Sequence, residues 1–151
     1  MGAVYFYHLT RTPLEAALPM LLGRSLQAGW RVVVRGTSAE RLGWLDEQLW
    51  LGAEDFLPHG LAGGPHDRDQ PILLSRGEGL VNGATCLMLV DGAALDVAEA
   101  EPLHRVCVMF DGGSPEAVAA ARGQWKQVAD ATLPAQYWSD ESGGWQKMAE
   151  R

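Results

Sequence analysis

The sequence is short of lysine, short of cysteine and free of long apolar runs, and each shortage removes a class of function. Only two lysines, Lys126 and Lys147, stand beside ten arginines, and 19 acidic residues bring the formal charge to −7. Affinity for a phosphate backbone comes largely from counterions released by concentrated positive charge. A chain this acidic has room for one local basic patch and is not expected to grip bare DNA. The two cysteines, Cys86 and Cys107, each lie within an apolar run, where a small buried hydrophobe is the expected role. No Cys-x-x-Cys pair or nearby histidine offers them a metal geometry. No apolar stretch nears the roughly 20 residues needed to span a bilayer. The N-terminus has neither the basic patch nor the apolar segment of a signal peptide, so the cytoplasm is the expected compartment.

Nucleotide fingerprints are missing as well. The first apolar run leads into His8-Leu9-Thr10-Arg11, with no Gly-x-Gly-x-x-Gly turn to admit a pyrophosphate. Neither lysine ends a Gly-x-x-x-x-Gly-Lys loop. No cofactor is expected.

What is present is an alternation. The chain has 151 residues, 47% of them apolar, enough for one domain with a substantial core. Val4 to Tyr7, Arg31 to Arg35, Ile72 to Leu74, Thr85 to Val90 and Arg105 to Phe110 have the composition of strands. Thr12, Pro13 and Glu15 have the spacing of a capping box for a helix ending near Gly29, which Pro19 is expected to bend. Thr37 and Glu40 repeat that spacing for a helix to about Trp50. A short helix is expected over 93–100, and Ser114-Pro115 opens another that runs to about Ala131. Residues 51–70 form a long connection without periodicity, rich in Gly, Pro, His and Asp. The alternation predicts an α/β fold with a mostly parallel sheet and helices on both faces. Residues 1–132 carry this pattern. Residues 133–151, with an acidic turn between Trp138 and Trp145, form a C-terminal extension expected to be an edge strand or hairpin.

Catalytic and metal chemistry find little support. His59, His66, Asp67 and Asp69 share a loop but lack ligand spacing. Asp91 and Asp111 close apolar runs, where catalytic carboxylates stand in open sheets. A turn residue before glycine explains them more simply. With His59 they define the alternative function, a small α/β enzyme whose site lies at the strand C-terminal ends. Two other features are left over by the expected core. Trp50 falls off the Leu42–Leu45–Leu49 stripe of its helix, so it is either packed under the following loop or an exposed anchor of the kind that dominates interfaces. Arg122 and Lys126, one helical turn apart, flank the Val118–Ala121–Trp125–Val128 stripe. They are either a solvated flank or a receptor for an acidic segment.

Phe6-Tyr7, the run from Gly29 to Val34, the segment from Leu45 to Gly63 and the run from Ala119 to Lys126 together resemble the chi subunit of bacterial DNA polymerase III. The likeness extends over about residues 3–131 and is most specific from Leu45 to Gly63. It implies a single-domain, Rossmann-like three-layer fold without nucleotide chemistry, in a non-catalytic accessory subunit of a DNA-directed DNA polymerase. It also implies two partners, the acidic C-terminal tail of single-stranded DNA-binding protein and a psi subunit or equivalent clamp-loader component. DNA would be met only indirectly, at the replisome. By matched motif, Trp50 and Phe56 would line the tail pocket while Arg122 and Lys126 meet its charges. Ala129 replaces a further basic residue of the family's final helix, and residues 133–151 depart from the family pattern.

Overall fold

Strand residues alternate between two cores, and that alternation places every helix. The computed structural model describes residues 2–52, 57–77 and 79–151. In β1 (Ala3–Leu9), Tyr7 and Leu9 enter one core while Val4 and Phe6 enter the other. β2 (Val32–Arg35), β4 (Ile72–Ser75), β5 (Cys86–Leu89) and β6 (Arg105–Asp111) divide their side chains in the same way. Strands buried on both sides are continuous apolar runs, which is why their sequences carry so little polar alternation. Cys86 and Cys107 are free, buried thiols in the first of these cores.

The sheet has eight strands in the order β3-β4-β2-β5-β6-β1-β7-β8, parallel except for the final pair. Helices α1 (Leu14–Gln27) and α2 (Ala39–Gly52) cover one face. The short α3 (Val97–Ala100) and the longer α4 (Pro115–Asp130) cover the other. The predicted Rossmann-like α/β architecture is the one observed.

Three local expectations are corrected. The capping box of α1 does not form: its N-cap is Pro13, with no side-chain cap. The backbone N–H of Thr12 instead donates to Asp140, 2.6 Å away. In α2 the capping hydroxyl belongs to Ser38, which accepts from Arg41 N–H at 3.3 Å, while the Thr37 hydroxyl donates to the Asp91 carbonyl. The connection after α2 contains a strand, β3 (His59–Leu61), parallel to β4 at the sheet edge. At three residues it is too short to show periodicity. By contrast, the α4 cap falls where Ser114-Pro115 put it, with the Ser114 hydroxyl accepting from Ala117 N–H. α1 passes through Pro19 as one helix.

β7 (Ala135–Ser139) and β8 (Gln146–Glu150) form an antiparallel pair. β7 runs parallel to β1 inside the sheet, and β8 is the edge. Residues 133–151 therefore share the sheet and both cores with the rest of the chain.

Candidate functional site

α4 turns its apolar side, with Ala121 and Val128 buried, onto β1, β6 and β7. One flank is tied down where Gln124 and Gln127 donate to the carbonyls of Ala93 and Leu95. The opposite flank carries Arg122 and Lys126. Both are exposed, and neither makes an ion pair or side-chain hydrogen bond among the described residues. Beside them lie half-buried Val118 and Trp125. The Trp125 ring meets Phe6 edge-on at 5.4 Å and Tyr137 at 6.0 Å. Burial pushes the Tyr137 hydroxyl's pKa up, and the Arg122 charge opposes it, so the two side chains share one environment. His8 Nδ1 fixes that hydroxyl at 2.7 Å. The result is two unpaired cations along an aromatic floor, a surface able to take an anion and an apolar group together.

Trp50 occupies a different place. It stands at the C-terminal end of α2, 54% exposed, with its ring 4.3 Å from that of His59 on β3. His59 is buried, its ring nitrogens 2.6 Å from the Leu57 carbonyl and 3.2 Å from that of Asp46, so it ties β3 to α2. Leu51 and Leu61 are exposed at the same end of α2 and on β3. Phe56, expected beside Trp50, lies outside the described residues.

The structure does not bring Trp50 together with Arg122 and Lys126. α2 and α4 lie on opposite faces of the sheet. From β3 to β1 there are five strand steps, at about 4.8 Å each roughly 24 Å. A partner meeting Trp50 and the α4 cations together would have to pass around the edge of the sheet from one face to the other. Sequence reasoning overlooked the contact between Tyr137 and Trp125, because their meeting depends on β7 pairing with β1.

Asp91, Asp111 and His59 do not converge either. Asp91 and Asp111 line a crevice of about 790 Å³ at the C-terminal ends of β1, β5 and β6, but His59 is outside it. Asp91 is paired with Arg41 at 3.2 Å, and its positive φ of 52° with Gly92 makes it a turn residue. Asp111 accepts from Gly113 N–H at 2.8 Å in a local turn. No group of three or more His, Cys, Asp or Glu among the described residues is placed to hold a metal.

At the β1–α1 turn, where open α/β folds receive phosphate, the donors are already taken. The 2%-exposed Asp140 carboxylate accepts N–H bonds from Thr10 at 2.7 Å, Arg11 at 3.1 Å and Thr12 at 2.6 Å. Burial raises its pKa, but the backbone donors of Thr10, Thr12 and Arg11 outweigh that and hold it below the usual carboxylate range.

The family model that matches this chain is described as DNA polymerase III chi subunit, HolC, and the match spans residues 1–136. No curated protein matches the chain.

Proposed function

The chain belongs to the DNA polymerase III chi subunit family, an accessory subunit of the replicative polymerase, and from that premise we propose that it links the clamp loader to single-stranded DNA-binding protein. The tail of that protein would lie along α4, its carboxylates against Arg122 and Lys126 and its apolar end against Trp125 and Tyr137. The observation that carries this reading is the pair of exposed, unpaired cations beside half-buried aromatic rings in a protein of net charge −7. Cations that a folded acidic protein leaves uncompensated on one helix flank are available to an acidic partner. The exposed Trp50, Leu51 and Leu61 on the other face support a second contact, with a psi-like or other clamp-loader component. Two partners on opposite faces can be held at once, as a connector requires.

A titration with a synthetic tail peptide at several salt concentrations tests this. Burying the peptide's apolar end contributes about 1.5–3 kcal/mol. With binding entropy opposed to it, affinity should be roughly micromolar. Lys126→Glu should weaken binding and flatten its salt dependence, since surface charges are screened, whereas Trp50→Ala should leave it unchanged. Equal affinities and equal salt slopes for the original and Lys126→Glu proteins would remove α4 from the site.

A further inference from the structure

Beneath α1, on the face opposite α4, is a cavity of about 440 Å³ at the starts of β1 and β6 and beside β7. Trp138 and Trp145 form one side, with Trp145 meeting the Tyr7 ring edge-on at 5.6 Å. On the other side the Arg105 guanidinium lies 3.8 Å over the Tyr5 ring and 5.3 Å from that of Trp30. Stacking of this kind holds a guanidinium flat and leaves its edge free to donate.

The donors here are short of acceptors. Arg105 has no ion pair or side-chain hydrogen bond among the described residues, and its Nε is a buried polar atom without a partner. Buried donors are nearly always satisfied, so the guanidinium is held here by its aromatic neighbours and not by an acceptor of its own among the described residues. Arg24 on α1 also lines the cavity and has no ion pair among the described residues. The hydroxyl of Tyr7, a 9%-exposed side chain, has no hydrogen-bond partner among the described residues. Burial pushes its pKa up, so it remains a proton donor. Two arginines and a phenol thus border an aromatic-walled space whose lining, among the described residues, includes no carboxylate. The size and the few placed polar groups are those of a small-ligand pocket.

We propose that this pocket is a binding site for a small aromatic carboxylate, whose ring stacks against Trp138 and Trp145 while its carboxylate bridges Arg105 and Arg24. A planar two-oxygen group matches the flat edge of a guanidinium. A phosphate dianion is the poorer fit, because its second charge meets a protein of net charge −7. The site is separate from the α4 surface and does not rest on the tail reading.

The probe is 3-phenylpropionate, with 3-phenylpropionamide as its uncharged counterpart, followed by calorimetry and by the fluorescence of the pocket tryptophans. The carboxylate should bind saturably with a fluorescence change, and the amide about tenfold more weakly or less. Arg105→Gln should abolish binding. Because Arg105 also packs on Tyr5, Arg24→Gln, at an exposed position, is the second variant and should weaken binding about tenfold without altering the fold. Lys126→Glu should have no effect. Equal binding of acid and amide overturns the proposal, as does binding insensitive to both arginines. Tighter binding of deoxyadenosine monophosphate through the same two arginines overturns the carboxylate assignment.

Discussion

Asp140 shows how one residue can join distant parts of the chain. Its carboxylate gathers three successive backbone donors at the start of α1, from a position some 130 residues later. An asparagine would keep one acceptor oxygen and turn an amide N–H₂ toward those donors. Asp140→Asn should therefore lower stability by about 2 kcal/mol, or melting temperature by roughly 4–8 °C. The pH dependence has a definite sign. A carboxyl held below its usual range in the folded state stabilises the protein above its unfolded pKa of about 3.9 and loses that contribution as pH falls through the lower folded value. Denaturation followed from pH 7 to about pH 2 should show an acid loss in the original protein that is shallower in Asp140→Asn. Equal acid sensitivity in both would mean that the carboxylate does not anchor the turn. Gly112 is a second point of constraint. A Cβ there would collide with the His8 ring, which is held by Tyr137 and packed on Phe110. Gly112→Ala should destabilise the protein and disturb the Tyr137 side of the α4 surface, seen as a lower melting temperature together with weaker tail-peptide binding. An unchanged melting temperature would show that His8 yields freely.

At the scale of the element, α4 separates its folding duties from its proposed binding duties. Its cap at Ser114, its buried residues Ala121 and Val128, and its glutamine ties to the 93–95 loop all lie away from Arg122 and Lys126. Ser114→Ala should cost about 1 kcal/mol, a shift of roughly 2–4 °C in melting temperature, with tail affinity unchanged. Lys126→Glu should do the reverse. If each variant altered both quantities equally, the helix would not be modular in this sense. α2 divides its surface similarly: Leu42, Leu45 and Leu49 are buried while Trp50 and Leu51 are exposed. Trp50 touches His59 but is mostly exposed, so Trp50→Ala should change melting temperature little while weakening contact with a partner on that face.

For the whole molecule, the eight-stranded sheet acts as a spacer between two surfaces. Its width and two-sided covering keep the α4 cations apart from the exposed apolar end of α2. Occupying one surface should therefore leave the affinity of the other unchanged. A clamp-loader component bound at the α2 face should show the same dissociation constant with and without saturating tail peptide, and competition between them would mean a single shared site. The net charge of −7 gives a further expectation. Bare single-stranded DNA should bind negligibly at physiological salt, with binding appearing once single-stranded DNA-binding protein coats it. Tight, salt-sensitive binding to the bare strand would turn the Arg122 flank into a backbone contact.

The five short, strand-forming apolar runs, the Ser114-Pro115 start of α4, the departure of Trp50 from its leucine stripe and the flank position of Arg122 and Lys126 were all determined by the sequence alone. Each depends on neighbours within a turn or two, where periodicity and capping act. Other features were decided only by tertiary structure. β3 is too short to have a period, and it exists because β4 offers it a parallel edge. The α1 capping box gives way because Asp140 supplies a charged acceptor that Thr12 and Glu15 cannot match. Tyr137 joins the α4 surface because β7 pairs with β1 rather than remaining outside the sheet. The separation of Trp50 from Arg122 and Lys126 has the same origin. A helix shows in its own sequence which of its sides is apolar, but the face of the sheet it covers depends on the direction in which the chain crosses over. That direction is set by strand order, which is a property of contacts between residues far apart in sequence.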